Sequence, residues 1–278
     1  MKLKKYLSLI ASAVLFVVSF IYIVPIIVVL INSFKNKVFI SREPFALPNA
    51  DTIVDFENYT RAIIDYGLLD AVGWTLFITV GAVLVILICR SMAGWYIARV
   101  NNKISSMFYF ICVFSMIIPF QMVMYTLSFT ADRLGFNTPW GLIVVYLGFG
   151  AGLAVFMFAG FVKGLPTEIE EAALVDGCTP LRAFFSIVFP MMKPTYISVG
   201  ILQAMWIWND FLLPYLVLDI NEYKTIGIII QFMKGSYGRV DMGAIMAALI
   251  LALIPTIIFY LSLQKYIIKG VAAGAVKG

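Results

Sequence analysis

Histidine is missing from this chain of 278 residues, and charge is scarce: Asp, Glu, Lys and Arg together make up 13%. Without histidine the commonest general base and metal ligand are gone. No cluster of carboxylates replaces it, so neither a catalytic residue nor a metal site is expected in this chain. The three cysteines, Cys89, Cys112 and Cys178, form neither a disulfide framework nor a metal-ligand spacing. They are expected to be small packing residues. No Gly-Lys dipeptide occurs, which excludes a P-loop, so ATP has to be handled by another chain. A soluble domain carries about 25% charged residues. At 13% charge and 62% hydrophobic content, this chain belongs in a lipid bilayer. The net charge of +5 is scattered among apolar runs, so a nucleic-acid partner is not expected.

Long apolar runs set the architecture. Six all-α spans are expected, at about 7–31, 72–97, 105–128, 139–162, 195–218 and 242–264, each long enough to cross some 30 Å of hydrocarbon. The first is too long for the core of a signal peptide, so it is expected to be retained. The chain is thus a single transmembrane domain, residues 1–278, with a polar loop at 163–193. Residues 36–70 are polar and broken by Pro44 and Pro48, and within them Phe56–Tyr66 is expected as a surface helix. Six spans put both termini on one side. Lys2, Lys4, Lys5, Arg99, Lys103, Lys163, Arg182, Lys193, Lys265, Lys269 and Lys277 lie in short segments on that side. Lys35, Lys37, Arg42, Arg61, Arg133, Lys224, Lys234 and Arg239 lie on the other. The bias makes both termini cytoplasmic in a multi-pass protein of the cell membrane.

Two charges interrupt the spans. Arg90 can snorkel or pair within the bundle, and Asp210, beside Asn209, can line an aqueous path, form a gate or bond backbone freed by Pro214. Pro25, Pro119, Pro214 and Pro255 each remove a helical hydrogen bond mid-span, which persists where neighbours or cavity water satisfy the freed carbonyls. Gly148, Gly150 and Gly152 permit close helix approach.

The polar stretch Leu165–Lys193 is dense in helix punctuation. Thr167 and Glu170 have capping-box spacing, and Gly177 suits a left-handed C-cap. Thr179 and Pro180 start a second helix, whose Leu181, Phe184, Phe185 and Val188 share a face until Pro190 ends it. Two short helices at an angle form a knuckle outside the bilayer.

Glu171-Ala172-Ala173, then Asp176-Gly177, then Ile187 and Pro190 resemble the EAA loop of ABC importer permeases. Pro119-x-Gln121, Gly135-x-Asn137-Thr138, Trp208-Asn209-Asp210 and the ending Gln264-Lys265-Tyr266…Gly270-x-x-x-Gly274-Ala275-Val276-Lys277-Gly278 extend the likeness to the carbohydrate permeases of the maltose G-subunit-like type. The resemblance implies a type I importer permease fold, and half of a translocation pathway for a sugar of the oligosaccharide class. It also implies partners: a second homologous permease, two ABC ATPase subunits that use ATP and magnesium, and an extracytoplasmic sugar-binding protein. This chain itself would bind no cofactor. By the same resemblance Glu171, Ala172, Ala173, Asp176 and Gly177 couple to the ATPase, and Asn209, Asp210 and Gln121 are candidates for the pathway or gate. Cys178 departs from the family's Ala or Ser, a small change with no expected consequence. An ion-coupled secondary transporter is the alternative, but it leaves the knuckle without a purpose. An intramembrane enzyme lacks its acid and base.

Overall fold

The computed structural model describes residues 2–235 and 240–275. Every regular element among them is helical, and the one extended pairing is an isolated antiparallel bridge between Lys35 and Ile53. Within hydrocarbon the helix satisfies each backbone N–H and C=O inside its own segment, so long apolar runs adopt it. In order the helices are α1 (Lys2–Asn32), α2 (Lys37–Arg42), α3 (Glu57–Thr60), α4 (Leu68–Arg99), α5 (Lys103–Phe114), α6 (Phe120–Arg133), α7 (Pro139–Phe149) and α8 (Ala151–Lys163). There follow α9 (Glu168–Val175), α10 (Pro180–Ala183), α11 (Phe189–Met191), α12 (Lys193–Trp208), α13 (Leu212–Val217), α14 (Ile226–Met233) and α15 (Met242–Ala275).

Among the described residues, three uninterrupted helices are long and apolar enough to cross a membrane: Ser8–Asn32 in α1, all of α4, and Met242–Tyr266 in α15. The other expected spans are broken. The stretch 105–128 falls on α5 and α6 with a break at 115–119, and 195–218 falls on α12 and α13 with a break at 209–211. The stretch 139–162 falls on α7 and α8, which meet at 53°. Prolines explain only part of this. Pro25 and Pro255 sit inside continuous α1 and α15. Pro119 is the N-cap of α6 and Pro214 lies in the first turn of α13. Neither therefore interrupts a helix mid-run as expected, because the first turn has no use for the missing N–H.

The chain divides into two compact units: the residues up to Asp70 with Ile229–Ile257, and Ala71–Ile228 with the residues from Ile258 on. In the first, Asn58 on α3 is fully buried; its Nδ2 donates to the carbonyls of Ser33 (2.8 Å) and Lys35 (2.9 Å). Its Oδ1 accepts from Arg61 Nη2 (2.7 Å), which also reaches Asp241 Oδ1 (3.2 Å), while Asp241 caps α15 at Ala244 N. The expected surface helix over 56–66 is α3 continued by a π turn, Arg61–Asp65. Lys35, counted among the charges on the side opposite the termini, is 1% exposed and donates from Nζ to the Glu43 carbonyl. Residues 36–70 are thus a folded cap with its own polar hub.

In the second unit α8 packs on α5 and α12, and α13 packs on α6. Its core includes Ile86, Leu142, Tyr146, Phe158 and Phe184. Of the three glycines in the fourth span, Gly150 and Gly152 are the ones that need to be small. A Cβ at Gly150 would lie 2.6 Å from Ile86 Cδ1, and one at Gly152 would lie 2.7 Å from the Cys112 carbonyl. Gly148 faces open space. Cys112 is buried, Cys89 exposed and Cys178 intermediate, so the packing role expected of all three fits only part of the set.

Candidate functional site

The knuckle forms where the punctuation placed it, with two changes. α9 ends in a Schellman motif: Gly177 has φ +84°, its N–H donates to Leu174 O (3.1 Å), and Cys178 N–H donates to Ala173 O (3.0 Å). Thr179 then caps the next helix through Arg182 N, with Pro180 following it. The capping box at the start of α9 does not form. Thr167 has helical angles and makes no side-chain bond, and the Glu170 carboxylate is drawn away by stronger partners. Its Oε1 accepts from Arg99 Nε (2.9 Å) and Nη2 (2.7 Å), and its Oε2 accepts from Trp95 Nε1 (2.8 Å). A charge-assisted pair outweighs a bond to one neutral backbone N–H.

The second change lies at Pro190, which does not end the run. The backbone widens into a π turn over Phe184–Val188, and Pro190 fits the first turn of α11, where no N–H is required. The run ends at Met192 and α12 leaves it at 77°. The expected apolar face is divided by the same widening. Phe184 and Val188 are buried, whereas Leu181 and Phe185 are exposed.

Among the residues assigned to coupling, Glu171, Ala172, Asp176 and Gly177 are exposed and Ala173 is buried. The Glu171 and Asp176 carboxylates accept no hydrogen bond from the described residues. Val175 beside them is 87% exposed. The knuckle therefore presents two unpaired carboxylates and an apolar side chain on one small, turn-closed element.

The two charges that fall within the expected spans each serve the end of a broken helix. Asp210 precedes α13: its Oδ1 accepts from Leu212 N (3.0 Å) and Leu213 N (3.4 Å), and its Oδ2 accepts from the Tyr146 hydroxyl (2.9 Å). It caps N–H groups at a helix start, and the carbonyls freed by Pro214 are not its partners. Arg90 on α4 donates from Nη2 to the Leu147 carbonyl (2.6 Å), in the last turn of α7 just before the bend at Gly150. Carbonyls in a last turn lack intrahelical donors. A carboxylate at a helix N-terminus and a guanidinium at a C-terminus both match the helix dipole. Asn209 turns back to the Met205 carbonyl (2.7 Å) and is exposed, and Gln121 is exposed near the start of α6. The three pathway candidates are not brought together by any hydrogen bond.

The motif Gly135-x-Asn137-Thr138 is a turn and a cap. Gly135 has φ +71°, Thr138 Oγ1 accepts from Gly141 N (3.2 Å), and the Asn137 carbonyl accepts from Asp219 N (2.9 Å). Beside it opens a cavity of about 500 Å³ lined by Tyr125, Ser128, Phe129, Asp132, Asn137 and Asp219, among others. Nothing in the sequence singled out this set, because its members come from three separate segments. In the tail, Gly270, Gly274 and Ala275 continue α15, while Val276, Lys277 and Gly278 lie outside the described residues, as does Arg239.

Residues 90–273 match the family described as binding-protein-dependent transport system inner membrane component. The chain is 38% identical over 262 residues to a probable starch degradation products transport system permease protein of Thermoanaerobacterium thermosulfurigenes, covering 94% of each chain. It is 34% identical over 263 residues to a multiple sugar-binding transport system permease protein of Streptococcus mutans, covering 92% of each. Among solved structures, a chain of a bacterial ABC transporter involved in the import of alginate shares the fold. The TM-score is 0.78 at 21% identity, over 94% of this chain and 96% of that one.

Proposed function

This chain belongs to the binding-protein-dependent transport system inner membrane components, and from that premise we propose that it is a permease subunit of an ATP-driven importer for a sugar, in the oligosaccharide class. It is a transport subunit and not an enzyme. An ATPase and a solute-binding protein work with it. In our reading a second homologous permease completes the pathway, two ATPase subunits hydrolyse ATP, and the knuckle and both termini face the cytoplasm. The observation that carries the coupling role is the pair of exposed, unpaired carboxylates, Glu171 and Asp176, on a helix closed by the Gly177 turn. Such a face is available to cations of a docking partner. The cavity beside Asn137 has suitable chemistry for sugar hydroxyls, with aromatic faces at Tyr125 and Phe129 and acceptors at Asp132 and Asp219.

Glu171→Lys combined with Gly177→Pro reverses the charge and destroys the left-handed turn. Cells carrying this variant at wild-type membrane levels are expected to lose uptake, and normal uptake would defeat the coupling assignment. Purification in gentle detergent is expected to recover a second permease, an ATPase and a sugar-binding protein. Uptake that survives ATP depletion and collapses with a protonophore would favour the ion-coupled carrier instead.

A further inference from the structure

The residue before the expected docking glutamate does a different job. Glu170 turns inward, and both of its carboxylate oxygens are taken by side chains of α4: Oε1 by Arg99 Nε and Nη2, Oε2 by Trp95 Nε1. Arg99 Nη2 also donates to the Leu165 carbonyl (3.1 Å), just ahead of α9. The Arg99 and Glu170 side chains are 17% and 12% exposed, so solvent and salt screen the pair only weakly. Four bonds to one carboxylate and one carbonyl fix orientation as well as distance.

Trp95 and Arg99 are four residues apart, one turn along the same face of α4. That face also holds the second half of the knuckle. The Trp95 ring lies 5.1 Å from the ring of Phe184, which is fully buried and opens the π turn leading to α12. α4 thus grips α9 through a carboxylate and the run after Gly177 through an aromatic contact. One residue earlier, α4 is seated on α8 without slack: a Cβ at Gly94 would lie 2.7 Å from Phe158 Cβ and 2.9 Å from Ala159 N. Interiors packed this closely transmit displacement instead of absorbing it.

We propose that Glu170, Arg99 and Trp95 form the joint that delivers movement of the knuckle to α4, as positioning residues separate from the docking carboxylates Glu171 and Asp176. The proposal rests on the ATP-driven reading above. If α9 is pushed at its exposed face, it cannot pivot about Gly177 alone. α4 moves with it, and α8 moves with α4.

The test uses the complete transporter in lipid nanodiscs, with Cys89, Cys112 and Cys178 replaced by Ser. Spin labels are placed at Glu168→Cys on α9 and Tyr96→Cys on α4, both exposed positions. Label separation is measured without nucleotide and after trapping with ATP and vanadate. Across the two states, the separation is expected to hold within about 2 Å, the size of ordinary helix adjustment. Glu170→Gln is expected to make it state-dependent or to broaden it. Trp95→Phe, which keeps an aromatic ring beside Phe184 and removes the N–H donor together with part of the indole, gives a smaller effect and serves if the Gln variant does not assemble. A separation that changes on trapping in the parent, or stays constant in the variants, overturns the joint while leaving ATP-driven transport intact. Failure of the parent complex to retain nucleotide with vanadate overturns the ATP-driven reading and the joint with it. A residue needed only for folding would alter yield and leave the nucleotide dependence of the separation unmoved.

Discussion

Replacing Asp210 separates a structural carboxylate from one that serves the transported solute. Asp210→Ala removes the side-chain acceptor for the first N–H groups of α13, which costs about 1 kcal/mol by analogy with a lost cap. It also strands the hydroxyl of Tyr146, a fully buried residue, at about 1–3 kcal/mol for an unsatisfied group. The sum is about 2–4 kcal/mol, which for a chain of 278 residues lowers the melting temperature by roughly 3–7 °C. Asp210→Asn is the informative partner. Asparagine caps as well as aspartate: its carbonyl accepts from Leu212 N while its amide N–H donates to the Tyr146 hydroxyl oxygen, so neither group is stranded. Thermal unfolding in detergent is therefore expected to be nearly unchanged for Asn and strongly shifted for Ala, with uptake following stability in both. A double-mutant cycle with Tyr146→Phe is expected to give a coupling of about 0.6–1.7 kcal/mol, the range for hydrogen bonds within membrane bundles. An Asn variant that is folded, stable and inactive would refute this account, because it would show that transport requires the charge itself.

Arg90→Leu removes the donor to the Leu147 carbonyl and is expected to destabilise the folded chain by about 1–3 kcal/mol. Insertion into the membrane is not impaired, since a cation within a span costs about 2.5–3.5 kcal/mol on insertion scales. A Leu variant as stable as the parent defeats the capping role. Asn58→Ala strips the hub of residues 36–70 of its bonds to Ser33, Lys35 and Arg61, at about 2–4 kcal/mol. Limited proteolysis is expected to cut within 36–70 in this variant and to spare the parent, and identical digestion patterns would show that the hub does not hold the cap.

The helices outside the broken spans were legible because long apolar runs have one stable form in lipid. Local punctuation was legible where a residue acts on its own backbone. Gly177 is left-handed, Thr179 caps, and Pro180 follows. What could not be seen was any choice between local and distant partners. Glu170 has the spacing to cap its own helix, but Arg99, 71 positions earlier, takes its carboxylate. The sequence leaves Asp210 three roles, and only the position of Tyr146, 64 residues away, assigns one oxygen. Pro190 was read as a stop because a proline clashes within an α-helix, and the π turn before it changes the local geometry that rule assumes. Lys35 looked like an interfacial charge because hydropathy cannot report that the chain folds back over it.

The placement of the two charges within the expected spans also bears on what kind of transporter this is. A carrier driven by an ion gradient needs a carboxylate whose oxygens are free to take the ion and release it. Both oxygens of Asp210 already accept hydrogen bonds, two from the start of α13 and one from Tyr146, so binding an ion there would uncap a helix. Arg90 is likewise committed to the end of α7. The polarity of each fits its helix end, anion at the N-terminus and cation at the C-terminus. Charge inside the expected spans is thus used to make broken helices tolerable: Arg90 beside the 53° bend at Gly150, and Asp210 within the break at 209–211. With the intramembrane carboxylate engaged in structure, the driving force has to enter elsewhere. The unpaired carboxylates outside the spans on the knuckle, Glu171 and Asp176, are the candidate point of entry, which is where an ATPase-coupled permease requires one.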